Sequence, residues 1–236
     1  MQQNRSPGWY GKMRALGDFS SRRLPSQFIT FWDAWLQESM MTSRSQLGEN
    51  WLNLYLNCPI WRFILMPNLC NNQIWTGILM PSVDKVGRYF PLTIALSFAA
   101  QPGVLLSIIT AKNWFTSIEQ LALKSLEEDF LPDYLDQYLL KHPFPLVGMN
   151  LPFSQNSDFI HFWNTECRNE STLNNKVELS AADDMIIYFT HMMEYQFTKT
   201  GSHKSIWWKE FPDSKKIQLQ CFNGLPAKDQ FITLLN

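Results

Sequence analysis

The chain has 236 residues, 45% of them hydrophobic and 17% charged, enough apolar surface for a core and too much for a disordered chain. Its 20 basic and 21 acidic side chains balance to a formal charge of -1 with no long single-sign block, so the footprint of a nucleic-acid binder or of a protein held on an anionic membrane is missing. No stretch approaches the roughly 18 apolar residues of a membrane span, and the opening MQQNRSPGWYGK lacks a signal-peptide core, so a cytoplasmic chain without direct membrane insertion is expected.

Residues 8 to 13 begin a strand, and Arg14 to Arg23, with Gly17, Asp18 and three arginines, reads as a loop. Ser26 is placed as the N-cap of a helix in which Phe28, Phe31, Trp32, Trp35 and Leu36 recur at helical spacing. That aromatic stripe belongs in the core. A short second helix starts at Asn50 and carries Trp51, Leu54, Tyr55 and Cys58 before Pro59 interrupts it. Three apolar runs follow, Trp61 to Met66, Trp75 to Met80 and Leu92 to Phe98, and their turn-rich separators make them successive strands of a meander. Phe63 to Met66 are continuously apolar, which implies helices over both faces of the sheet.

Residues 111 to 129 supply one such helix, with Phe115, Ile118, Ala122 and Leu126 on a face, and Leu131 to His142 supply another, separated by Pro132. The Pro-, Asn- and Ser-rich region from Pro143 to Ser180 reads as irregular. Asp183 and Asp184 open a further helix with Ile186, Phe189, Met193 and Phe197, closed by Lys199 and Gly201. The helix dipole accounts for the acidic pair better than a general acid and base would. Ser205 to Phe211 and Lys216 to Phe222 form a hairpin, and GLPAKDQFITLL a short closing helix.

The segment GILMPSVDKVGRYFPL, Gly77 to Leu92, sets Ser82, Asp84, Lys85 and Arg88 between two apolar runs. Pro81 ends the first run, Gly87 can take a positive φ in the turn, and Pro91 restricts the second run to an edge or a starting position. Asp84 and Arg88 either tie the turn together or display a loop to a partner. Ser82 lacks the flanking glycines of a nucleophile elbow, and no His or Cys lies in the segment, so it is not read as a nucleophile. Cys58, Cys70, Cys167 and Cys221 form no CxxC pair, and His142, His161, His191 and His203 are equally scattered. No metal site is expected from such spacing, and the thiols are read as reduced.

Four ordered motifs carry a resemblance: GWYGKMRALGDF at 8 to 19, RRLPSQFITFWDAWL at 22 to 36, WLNLYLNCPIWRF at 51 to 63, and GILMPSVDKVGRYFPL. With SIWW at 205 to 208 and GLP at 224 to 226, they resemble the TagF family, also called ImpM, associated with type VI secretion. The resemblance implies one TagF-like domain over 1-236, with a motif-bearing part at about 6-110, a helical and variable part at about 111-200, and the hairpin with its closing helix at about 205-236. It implies an α/β fold, a three-layer α/β/α sandwich with a central mixed, largely antiparallel sheet.

It further implies a cytoplasmic, non-enzymatic repressor that acts after translation, uses no cofactor, and binds the forkhead-associated scaffold protein Fha. Membrane-core or baseplate subunits are the alternative partners, and a structural accessory subunit the alternative role. The fused phosphatase of some relatives is not expected here. The candidate residues are Lys12, Asp18, Arg23, Asp84, Arg88 and Tyr89, polar or amphipathic groups in loops, where binding residues concentrate. An internal network, in which Asp18 or Asp84 pairs with Arg88 or Arg62, would explain the same residues without a partner.

Overall fold

A computed structural model describes residues 5–101, 103–146, 203–211 and 216–235. Its contacts divide the chain into two units. The first is formed by Met1–Ala100, Ala111–Pro145 and Gly201–Asn236. The second is formed by Gln101–Thr110 and Leu146–Thr200, and its described part is essentially one helix, α3 (Val104–Thr110).

The first unit is organised by a sheet of seven strands among the described residues, in the order β2-β1-β5-β4-β3-β6-β7. They are β1 (Gly8–Gly11), β2 (Ser20–Arg22), β3 (Trp61–Leu65), β4 (Gln73–Met80), β5 (Leu92–Ala99), β6 (Lys204–Phe211) and β7 (Lys216–Asn223). Every pairing among them is antiparallel, so the expected mixed sheet is corrected. The meander β3-β4-β5 is as the apolar runs predicted, and β5 starts directly after Pro91, where the missing N–H costs no ladder bond.

Side chains of adjacent strand residues point to opposite faces. Phe63 faces Trp32 of α1 (Ser26–Leu47), ring centroids 4.9 Å apart, whereas Arg62 turns the other way and pairs with Glu119 of α4 (Lys112–Lys124). On the α1 side, Phe28 stacks on Trp75 at 4.0 Å and Trp32 on Trp207 at 6.0 Å. Trp32 also donates to Thr93 Oγ1 at 2.8 Å, which satisfies its indole N–H inside the core. Trp51 and Tyr55 of α2 (Trp51–Leu56) join the same cluster, as do Phe231 and Leu234 of a closing 3-10 turn. On the α4 side, Trp114 packs on Phe144, and Phe144 on Phe98 of β5. Trp9 of β1 reaches Asp136 of α5 (Pro132–Lys141).

Several boundaries differ from expectation for local reasons. Ser26 is the first helical residue and not the cap: Pro25 holds the cap position in extended geometry, without a side-chain bond. α4 ends at Lys124, so Leu126 is exposed and Leu121 fills the buried face beside Ala122. Part of the expected 14-to-23 loop is strand β2, and the expected closing helix is only the 3-10 turn Phe231–Leu234. The helix expected from Asp183 to Gly201 and nearly all of the Pro143-to-Ser180 region lie outside the described residues.

Candidate functional site

The turn between β4 and β5 is built around one carboxylate. Asp84 has 0% of its surface exposed. Its Oδ1 accepts the backbone N–H groups of Val86 (3.1 Å) and Arg88 (2.8 Å), while its Oδ2 accepts Arg88 Nε at 2.7 Å and lies 3.0 Å from Lys12 Nζ. Gly87 N–H donates back to the Asp84 carbonyl at 3.0 Å, and Gly87 takes φ +85°, the left-handed geometry that this turn needs and that glycine adopts freely. A bridge between Val83 and Tyr89 closes the loop below the turn.

Burial opposes ionisation of Asp84, but the bonds from the Arg88 backbone, Lys12 and the Arg88 side chain outweigh it and hold the carboxyl well below its usual range. Asp84 is therefore a fixed anion, unsuited to exchanging protons near neutrality. Lys12 is itself buried and places its ammonium 4.9 Å from the centre of the Phe19 ring. Its own carbonyl accepts Ser82 Oγ at 2.8 Å, and Lys85 N–H reaches the Leu16 carbonyl at 2.8 Å. The loop after β1 and the turn after β4 are thereby one hydrogen-bonded assembly. Arg88 extends it outward, donating to the Gly17 carbonyl and standing 3.9 Å from Asp18.

Four of the predicted residues, Lys12, Asp18, Asp84 and Arg88, thus meet. Tyr89 lies next to them but turns inward, its ring edge-on to Trp51 (6.2 Å) and Tyr55 (5.8 Å). Arg23 does not join. At φ +61° it donates to the Pro7 carbonyl at 3.0 and 2.8 Å and to Asp136 at 2.5 Å, so it fastens the β1–β2 edge to α5. Arg62 is no partner of Asp18 or Asp84 either: it holds Glu119 at 2.6 Å and Glu210 at 2.5 Å on the α4 face.

The surface above this buried ionic base is small and amphipathic. Val86 is 67% exposed, the Arg88 side chain 54%, and Lys85, Asp18 and Phe19 flank them. Val86 and Phe19 were not among the predicted residues. An apolar residue between Asp84-Lys85 and Gly87-Arg88 in a turn is the sequence signal that could have found Val86.

Chemistry has little purchase here. Ser82 is buried, with its hydroxyl committed to the Lys12 carbonyl and its backbone bonded on both sides to the Tyr55 hydroxyl at 2.9 Å. A cleft of about 360 Å³ does lie beside it, but its walls are mostly apolar, including Leu56, Ile60, Met80, Val83 and Leu123. Among the described residues no group of three or more His, Cys, Asp or Glu is placed to hold a metal ion, and no helix is long and apolar enough to cross a membrane.

An antiparallel sheet of seven strands with helices packed on it, carrying an exposed turn on a buried carboxylate, defines an α/β protein. The sequence matches the profile described as "TagF N-terminal domain, Type VI secretion system-associated" over residues 8–141, more than half of the chain. Among solved structures it is similar to the crystal structure of PA0076 from Pseudomonas aeruginosa PAO1, at 30% sequence identity and a TM-score of 0.73, covering 98% of this chain and 94% of that one. A comparison with curated proteins found no match. The chain belongs to the TagF family, and is a type VI secretion-associated protein.

Proposed function

We propose that this protein is a cytoplasmic, non-enzymatic repressor of type VI secretion that binds the Fha scaffold after translation and keeps it from assembling or activating the apparatus. In this reading Asp18, Lys85, Val86 and Arg88 make the contact, while Lys12, Asp84 and Tyr89 hold them in place. The helices on the two faces are taken as the outer layers of an α/β/α sandwich whose sheet presents the turn at one end.

One observation carries the proposal. The exposed Lys85–Arg88 turn rests on a carboxylate that is buried and satisfied by two backbone N–H groups and two cations, so the loop is ordered before any partner arrives. Preorganisation of this kind spares the ordering cost of binding, and arginine beside apolar side chains is the composition of interface anchors. The commitment of the Ser82 hydroxyl to a backbone carbonyl supports the non-enzymatic part.

The test is overproduction of the wild type, Val86→Asp and Arg88→Ala in a host with working type VI secretion, with secretion and retained Fha measured together. Wild type should lower secretion and retain Fha, and Val86→Asp should do neither while staying folded. Secretion that is unaffected by the wild type would sink the repressor reading. Retention of membrane-core or baseplate subunits without Fha would move the target to those subunits.

A further inference from the structure

The two ends of the sheet are built differently. β2 is three residues long, finishes on Arg22, and leaves the sheet at Arg23 with a positive φ. Shortness and charge are ordinary means by which an edge avoids pairing. β7 has neither. It runs for eight residues in an unbroken register with β6, from Lys204↔Asn223 to Phe211↔Lys216, so no bulge turns it aside. From Ile217 to Asn223 it contains no charge and no proline.

The phase of the ladder fixes which groups face out. Met66 N–H donates to the Lys204 carbonyl, and Gly224 N–H to the His203 carbonyl. In β6, therefore, residues 204, 206, 208 and 210 turn their backbone groups toward β3, and the residues between them turn theirs toward β7. Leu219 is registered with Trp208 and Ile217 with Glu210, so the backbone groups of Ile217, Leu219, Cys221 and Asn223 point away from the sheet. Among the described residues nothing pairs with them. The same residues carry exposed apolar side chains, Ile217 at 64% and Leu219 at 61%, with Cys221 exposed beside them.

We propose that β7 joins two copies of this chain, antiparallel about a two-fold axis at Leu219, into one continuous sheet. The strand is self-complementary about that residue: Ile217-Gln218-Leu219-Gln220-Cys221 alternates apolar and amide side chains symmetrically. In the antiparallel register Leu219 opposes the partner's Leu219, Ile217 opposes the partner's Cys221, and Gln218 opposes the partner's Gln220. Ile217, Leu219 and Cys221 all fall into hydrogen-bonded pairs, so the backbone phase and the side-chain pattern agree. Charge agrees as well, since no like charges meet and Lys216 lies against the partner's Phe222. One strand pair buries less than the roughly 1,200 Å² of a standard interface, so the dimer is reversible and follows concentration.

Sedimentation velocity on the full chain over a roughly hundredfold dilution series tests this. Wild type should pass from dimer to monomer on dilution, and Leu219→Lys, which sets two ammonium groups opposite each other at the axis, should be monomeric throughout with an unchanged circular dichroism spectrum. Ile217→Cys checks the register: it brings a thiol opposite the partner's Cys221, with Cα atoms about 5.5 Å apart, within disulfide reach. Mild oxidation should then yield a reducible dimer on a gel that the wild type does not give. A wild type that is monomeric at every concentration overturns the proposal. So does a dimer that Leu219→Lys leaves intact, or one that Ile217→Cys fails to lock.

Discussion

Replacing Asp84 with Asn keeps the shape of the side chain and one oxygen for the Val86 and Arg88 N–H groups, but removes the charge that Lys12 and Arg88 share. Breaking a buried ion pair by deleting one partner costs about 3–5 kcal/mol, because the other charge stays buried and uncompensated. Asp84 has no exposed surface, yet it lies directly beneath a half-exposed arginine, and Lys12 keeps its contact with the Phe19 ring. We therefore expect the lower end, about 3 kcal/mol. Lys12→Met should cost a similar amount by itself, whereas Lys12→Met combined with Asp84→Asn should cost about 1–2 kcal/mol less than the sum, since neither charge is then left alone. Urea unfolding followed by tryptophan fluorescence reads this directly, because Trp32, Trp75 and Trp207 are packed in the core of the same unit. A loss below about 0.5 kcal/mol for Asp84→Asn, or additivity in the double variant, would refute the account of the turn as an ionic assembly.

The same carboxylate gives a pH dependence. Its native pKa is depressed below the roughly 3.9 of an unfolded Asp, so the unfolded chain takes up the proton first as pH falls. The stability that Asp84 contributes is present above about pH 5 and is lost on going down toward the native pKa, so wild type should lose more stability between pH 5 and 3 than Asp84→Asn in denaturant titrations. Gly77→Ala should fail to give soluble folded protein: a Cβ there would stand 2.0 Å from the Ile94 carbonyl oxygen and 2.8 Å from Ala95 Cα, and this β5 backbone cannot yield without breaking the ladder, a cost of about 4 kcal/mol or more. Purification yield and circular dichroism check it. Burial pushes the Cys58 thiol up to about 12, with the Lys209 ammonium pulling weakly the other way. Iodoacetamide at pH 8 should therefore label exposed Cys221 and leave Cys58 untouched until urea is added, as peptide mass spectrometry would show.

How much was legible in the sequence depended on how local each feature is. The β3–β5 meander could be read because each strand is a continuous apolar run bounded by turn residues, and α1 because its aromatic side chains repeat at helical spacing. The Asp84–Arg88 pair could be read because its members are four residues apart in a turn. β2 could not: Ser-Ser-Arg carries no strand signal, and it is held in place by pairing with β1. α3 is equally silent, since Val104-Leu105-Leu106-Ser107-Ile108-Ile109-Thr110 is too short and too β-branched to announce a helix. The loop position of Arg23 is visible in the sequence, but its partner Asp136, more than a hundred positions away, is not. The partners of Arg62 are hidden for the same reason, since Glu119 and Glu210 both lie far along the chain.

The position of β3 carries a kinetic consequence. It lies between β4, which follows after a seven-residue connection, and β6, which arrives only after 138 intervening residues. Closing the longer loop costs about 2.6 kcal/mol more entropy than closing the shorter one, so the β3–β4 hairpin forms early and the β3–β6 pairing late. Until β6 docks, one side of Trp61-Arg62-Phe63-Ile64-Leu65 is a bare apolar edge, and Trp207 is missing from its stack with Trp32. The half-built sheet is thus the state most exposed to chaperones and to aggregation, and conditions that slow the arrival of the last hairpin should lower the yield of soluble protein without changing the stability of what does fold.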